Sequence, residues 1–190
     1  MAKPSALLSP GPTDRLFLAV FPDAETSWRI EALGKRLKAE LGQKGGVQAA
    51  DRLHVTLHKI GDYRALPTDI VGKTLEVCNT VTAAPFDVTF DRVTSFSGKP
   101  GNRPFVMKGS AGLDALMTFQ ASLMAALRKA KLAKRSFGMY TPHVTLLYDA
   151  RMVPYQAVDA ISWRVGEYVL VHSLLGQTKH VVLGRWPLIG

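Results

Sequence analysis

The sequence predicts an α+β fold built from two similar halves, and three observations carry that reading. Short runs rich in Val, Leu and Phe are interspersed with longer stretches whose apolar residues recur every three or four positions, so strands and amphipathic helices both occur. The tetrapeptide His-Val-Thr-Leu appears twice, at His54 to Leu57 and at His143 to Leu146, with the histidines 89 positions apart. A strand and a helix precede each copy, and both copies read as strands. The visible repeat is confined to the motif, so an internal duplication is suggested by it alone.

The elements follow in order. Residues 1–14 hold Pro4, Pro10, Gly11 and Pro12, which oppose regular structure, and are expected to form a flexible leader. Residues 15–190 are expected to form one domain. Arg15 to Phe21 is an apolar run that predicts a buried strand ending at Pro22. Asp23 can cap the helix that follows, whose Ile30, Leu33, Leu37 and Leu41 share one face until Gly42 stops it. A turn at Gly45 and Gly46 leads to the first histidine strand, Leu53 to Ile60, and Gly61-Asp62 reads as the next turn. Thr68 to Thr80 predicts a helix. Phe86 to Val93 alternates apolar and polar residues as a half-buried strand does. After a glycine- and proline-rich loop, Pro104 to Lys108 is another strand.

Leu113 to Ala133 gives the strongest helical pattern, with a stripe of Leu113, Leu116, Met117, Gln120, Leu123, Met124 and Leu127. Lys129, Lys131, Lys134 and Arg135 crowd its end, where positive charge complements the helix dipole; that local role is favoured over RNA contact. Beyond the second histidine strand, Ile161 to Val165, Tyr168 to Leu175 and His180 to Leu188 predict a three-stranded meander with turns at Gly166 and Gly176.

Composition narrows the function. With 47% apolar and 21% charged residues the chain can build an ordinary core, which excludes a mostly disordered protein. Lys and Arg outnumber Asp and Glu by 24 to 15, a balance that suits a polyanionic partner without identifying one. Cys78 is the only cysteine, so there is neither an intrachain disulfide nor a cysteine cage for zinc. No apolar run is long enough for a membrane span or a secretion signal, and the expected setting is the cytoplasm.

In each motif the strand phase points His and Thr to one face and the intervening apolar residues to the other. Two such strands facing each other across a cleft would present two imidazoles and two hydroxyls, which suits acid-base chemistry on a phosphate. A metal reading of His54 and His58 fails because no glutamate accompanies them and four strand residues span about 13 Å. His172 and His180 have no motif around them and read as structural.

The paired motifs resemble those of the two-histidine (2H) phosphoesterases, and within them the RNA 2′,3′-cyclic phosphodiesterases also called 2′-5′ RNA ligases. The resemblance includes Arg15 to Phe17 and the closing Arg185-Trp186-Pro187-Leu188. It implies a bilobal fold with mainly antiparallel sheets and an active cleft between the lobes. It also implies hydrolysis of RNA 2′,3′-cyclic phosphate ends to 2′-phosphates, with His54 as acid, His143 as base, Thr56 and Thr145 on the phosphoryl oxygens, and no metal or cofactor. The same site run in reverse would join such an end to a 5′-hydroxyl. Many relatives carry an arginine five residues after the second histidine, where this chain has Tyr148. Arg103, Lys59 or Arg151 would then offset the phosphate charge, with Arg103 preferred. Tyr148 and Phe17 are candidates to stack on a base. The rival readings are a phosphodiesterase for another cyclic or 2′-5′-linked nucleotide, and an RNA-binding module without turnover. A monomer is expected.

Overall fold

The computed structural model describes residues 11–134 and 139–189. Eight strands form one antiparallel sheet: β1 (Asp14–Val20), β2 (Val55–Tyr63), β3 (Phe86–Ser95), β4 (Arg103–Lys108), β5 (Val144–Asp149), β6 (Gln156–Val165), β7 (Glu167–Leu174) and β8 (Lys179–Pro187). Three helices connect them, α1 (Ala24–Glu40), α2 (Thr68–Cys78) and α3 (Asp114–Lys129). The strand order is β6-β3-β4-β5-β2-β1-β7-β8.

That order divides into two four-stranded halves that mirror one another. In one half β1 and β2 are joined through α1 and extended by β7 and β8; in the other β4 and β5 are joined through α3 and extended by β3 and β6. The seam between β2 and β5 has a single residue pair, Val55 opposite Val144. Beside it, the segment before β2 pairs with β5 through Val47 and Leu147, and the Gln48 amide donates to the Leu146 carbonyl at 2.7 Å.

Phe17, Ala19, Val169 and Val171 form a smaller buried cluster of their own, and the main core lies on one face of this sheet. Leu18, Val20, Val55, Leu57, Val144 and Leu146 pack there with Ile30, Leu33 and Leu37 of α1 and with Leu116, Leu123 and Leu127 of α3. The expected cap holds: Asp23 accepts from the Thr26 amide at 2.8 Å. Gly42 ends the turn after α1 at φ 64°, a backbone conformation that favours glycine. On α3, Phe119 joins the stripe and Met117 is exposed. Arg128 and Lys129 occupy its last turn, and Lys131 and Lys134 lie beyond it. Arg135 falls outside the described residues, as does most of the expected leader.

Two expectations are corrected. Gly61 and Asp62 are not a turn; they continue β2, where Arg15 pairs with Asp62 and Leu16 with Gly61. The last three strands are not a meander. Of these three only β7 and β8 form a hairpin, while β6 pairs with β3 at the opposite edge; the chain, which crosses to the second half through α2, returns at the single residue Gly166.

The loop after α1 is tied to the end of β5 by one carboxylate. Asp149, buried, accepts from the amides of Lys44 at 2.5 Å, Gly45 at 2.7 Å and Arg151 at 2.8 Å. These bonds hold its pKa down to about 2. Gly45 packs so closely that a Cβ there would lie 1.9 Å from the Tyr148 carbonyl oxygen. Replacing Asp149 by Ala leaves these amides without their acceptor and is expected to lower stability by about 2–3 kcal/mol in urea unfolding. A loss below about 0.5 kcal/mol, the size of an ordinary surface substitution, would contradict that role.

Candidate active site

Burial alternates along the first motif: Leu53, Val55 and Leu57 are buried, while His54, Thr56 and His58 are partly exposed. The second motif repeats it, with Val144 and Leu146 buried and His143 and Thr145 partly exposed. In both copies the histidine is the residue just before the strand begins. Val55 and Val144 point into the core, so the four motif residues stand on the opposite face, away from the helices. Continuing the antiparallel register one step either way sets His54 opposite Thr145 and His143 opposite Thr56. All four line one cavity of 250 Å³.

The two imidazoles are held alike. His54 Nδ1 is 2.6 Å from the Arg52 carbonyl oxygen, and His143 Nδ1 is 2.8 Å from the Thr141 carbonyl oxygen. A carbonyl only accepts, so Nδ1 carries the proton in each ring and the neutral form leaves Nε2 as a free base. Phe17 stacks on His54 with centroids 4.8 Å apart, and Phe96 meets His143 edge-on at 5.0 Å. Burial pushes the pKa of His54 down to about 4, with repulsion from His180, His143 and Arg52 adding to it. Burial also lowers the pKa of His143, with a smaller contribution from Lys108. In the free site both rings are therefore neutral at pH 7.

Register across the sheet brings the rest of the lining. Asp62, Arg15, Ser173 and His180 form one cross-strand row, and Lys59, Phe17 and Val171 share the next. Arg15 Nε donates to Asp62 at 2.7 Å, and Lys59 Nζ lies 2.7 Å from the same carboxylate. The Arg15 guanidinium, aided by Lys59, holds the Asp62 pKa down to about 2.

The structure thus brings together His54, Thr56, His143, Thr145, Phe17, Tyr148 and Lys59. Tyr148 reaches the cavity because β5 bulges near Leu146, which turns Tyr148 to the same side as Thr145 and leaves it 44% exposed. Phe17, expected to stack on a base, is only 4% exposed and stacks its ring on the His54 imidazole. Arg103 is not in the lining. It pairs with Asp149, six residues along β5 from His143 and thus about 20 Å away at strand rise, and its guanidinium donates to the Ala150 carbonyl at 2.6 Å. Arg151 likewise turns away, to the Leu41 carbonyl at 2.7 Å.

Sequence reasoning missed Arg15, Gln48, Arg52, Ser173 and His180 in the lining. His180, which has no motif around it, stands in the lining with its ring edge-on to His54, centroids 5.5 Å apart. Arg15 and Arg52 were within reach of the alternation, since each stands two residues before a residue of the site. His172 behaves as expected. It faces the other side of β7 and binds Asp14 at 2.5 Å, buried.

The family model described as the 2′-5′ RNA ligase superfamily matches residues 21–177. The crystal structure of Escherichia coli LigT complexed with 3′-AMP superposes with a TM-score of 0.74 at 21% identity, covering 93% of this chain and 99% of LigT. TT0787 of Thermus thermophilus gives 0.69 at 22% identity, covering 92% and 97%. Kluyveromyces marxianus Usb1 gives 0.53 at 12% identity over the same shares. At these identities the structural likeness concerns the fold. No curated protein sequence matches the chain. With the family model spanning most of its length, the chain belongs to the 2′-5′ RNA ligase superfamily, the 2H phosphoesterases.

Proposed function

We propose that the protein hydrolyses RNA 2′,3′-cyclic phosphate ends to 2′-phosphates by paired-histidine acid-base catalysis. The observation that carries this reading is the matched pair of imidazoles in one cavity, each with Nδ1 bound to a backbone carbonyl and Nε2 left for substrate. Membership in a superfamily of phosphoesterases and ligases supports an enzyme. Escherichia coli LigT has been crystallised with 3′-AMP, ATP, NADP+ and phosphate, and the phosphate common to those ligands of LigT supports a phosphate site here.

The assignment of His54 as acid and His143 as base is the one the family resemblance implies, and the paired imidazoles can accommodate it. The strained cyclic diester sits between the imidazoles. Neutral His143 takes a proton from water at Nε2 as the water oxygen attacks phosphorus. The bond from phosphorus to the ribose 3′-oxygen breaks, and protonated His54 delivers its Nε2 proton to that oxygen. Thr56 and Thr145 donate hydroxyl hydrogen bonds to the non-bridging oxygens, while Arg15, Arg52 and Lys59 offset their charge. With a 5′-hydroxyl in place of water, the same step, again breaking the bond to the 3′-oxygen and protonating it, yields a 2′-5′ linkage. Because the phosphoryl anion favours imidazolium, bound substrate raises both histidine pKa values, which allows His54 to act as acid although the free site keeps it neutral. Every protein group the scheme uses is a side chain lining this one cavity.

Purified protein given an oligonucleotide with a 2′,3′-cyclic phosphate end is expected to release a 2′-phosphate end, and turnover is expected to survive EDTA. A 3′-phosphate product, or loss in EDTA with recovery by a divalent ion, contradicts the scheme. His54→Ala and His143→Ala are each expected to reduce kcat by roughly 10²- to 10⁴-fold, with the double variant far short of the product of the two. Near-full activity in either folded variant would end the assignment.

The pH dependence has a definite sign. In the free enzyme both pKa values lie below the ordinary 6.5 of histidine, so the optimum of kcat/KM is expected on the acidic side of pH 6.5. The optimum of kcat is expected at higher pH, because bound phosphate raises both values. His143→Ala should flatten the acid limb and His54→Ala the alkaline limb. Coincident optima above pH 7 for both parameters would show that burial does not control these imidazoles.

A further inference from the structure

The 250 Å³ cavity is small for a nucleotide. Sites for small ligands run from about 300 to 1,000 Å³, so a cyclic phosphate and its ribose leave little room for anything attached to them. A second cavity of 590 Å³ adjoins it and shares two residues with it, Arg52 and His180. Two atoms of these residues are buried without a hydrogen-bond partner among the described residues: Arg52 Nε and His180 Nδ1. A buried polar atom left unpaired is costly; the others among the described residues are on Gln43 and Trp163, outside both cavities, and the pair on Arg52 and His180 stands where the two cavities meet. We propose that this 590 Å³ groove binds the RNA body. The phosphate on the 5′ side of the terminal nucleotide sits at Arg52 and His180, and the nucleotide before it lies in the groove beyond.

The direction rests on the phosphodiesterase reading above. If His54 protonates the leaving 3′-oxygen, the ribose lies on its side of phosphorus and water enters from the side of His143. The chain must then exit past His54, where His180 stands edge-on to the imidazole and opens into the groove. The groove has the parts that single-stranded RNA uses. Phe21 offers an aromatic face, Val169 and Val182 an apolar floor, and Arg164 and Lys179 cations for a further phosphate. Of its three acids, Asp23 is engaged as the cap of α1 and Glu167 is paired with Arg185, which leaves Asp51 against Arg52, Arg164 and Lys179. Among the described residues Arg164 has one ion pair, with the exposed Asp87 at 3.5 Å, a contact weak enough to be given up.

The test compares a nucleoside 2′,3′-cyclic phosphate with a trinucleotide ending in the same nucleoside 2′,3′-cyclic phosphate. Wild type is expected to favour the trinucleotide in kcat/KM by at least about tenfold, the size of one charge-assisted hydrogen bond, and the preference should shrink as salt rises. The exposed double variant Arg164→Gln with Lys179→Gln should lose most of that ratio. Arg128→Gln, in the groove on the side of His143, should keep it. Equal kcat/KM for the two substrates in wild type, an unchanged ratio in the double variant, or a ratio lost in Arg128→Gln instead would overturn the subsite. Binding of a trinucleotide with a 3′-phosphate, read by fluorescence anisotropy, separates the two proposals. If neither cyclic substrate turns over but the double variant still weakens binding, the reaction falls and the subsite stands; if binding is also indifferent to the double variant, both fall.

Discussion

The structure depends on the backbone pairing of Val55 with Val144. It is the single residue pair between β2 and β5, the two strands at which the four-stranded halves meet, and its register decides what faces the cleft. A slip of one residue in either strand would turn its histidine and threonine into the core and its valine into the cavity. What prevents the slip is burial. Val55, Leu57, Val144 and Leu146 are wholly or almost wholly removed from solvent against α1 and α3, each worth roughly 1.5–3 kcal/mol if fully exposed by a wrong register. All three helices cover that apolar face, so the opposite face of the seam is left for chemistry. Because β2 and β5 share only one pair before they part, a cavity opens between them, and the segment carrying Gln48 closes its edge along β5.

The charges around the cavity obey a second constraint. Arg15, Arg52 and Lys59 line it with Asp62 as the carboxylate bound to two of them, so the site holds more positive than negative charge. Burial penalises an imidazolium at either position, with repulsion from His180, His143 and Arg52 adding to it at His54 and from Lys108 at His143; both rings stay neutral as a result. A bound phosphoryl group changes the balance. It supplies the anion that the cations lack and permits one imidazole to carry a proton, so the protonation state needed for catalysis arises with the substrate. The backbone carbonyls of Arg52 and Thr141 fix both rings in the same tautomer throughout.

Much of this was legible because it is local. The alternation through Leu53 to His58 sets the phase of the first motif, and the same four residues in the second copy predict the same phase. The helix cap at Asp23 and the stop at Gly42 are likewise short-range. What escaped the sequence was decided by partners far along the chain. His180 reaches the site only because β8 pairs with β7 so that His180 stands beside Ser173, and Ser173 beside Arg15. Gly166 reads as a hairpin turn, since short glycine connections between strands usually are, yet β6 found its partner in β3. The preference for Arg103 came from its place in a glycine-rich loop; its register opposite Asp149 puts it at the wrong end of β5. Tyr148 needed the bulge near Leu146, which no alternation pattern announces.

The central claim is that two equivalent imidazoles, each donating from Nδ1 to the backbone, present Nε2 to one phosphate. Long-range ¹H–¹⁵N NMR of the histidine rings tests it most directly. At pH 7 His54 and His143 are expected to be neutral with the proton on Nδ1, and titration with inorganic phosphate is expected to shift the Nε2 resonances of both rings together and raise both pKa values. A proton on Nε2 in either ring of the free protein, or a response to phosphate from only one of them, would contradict the account.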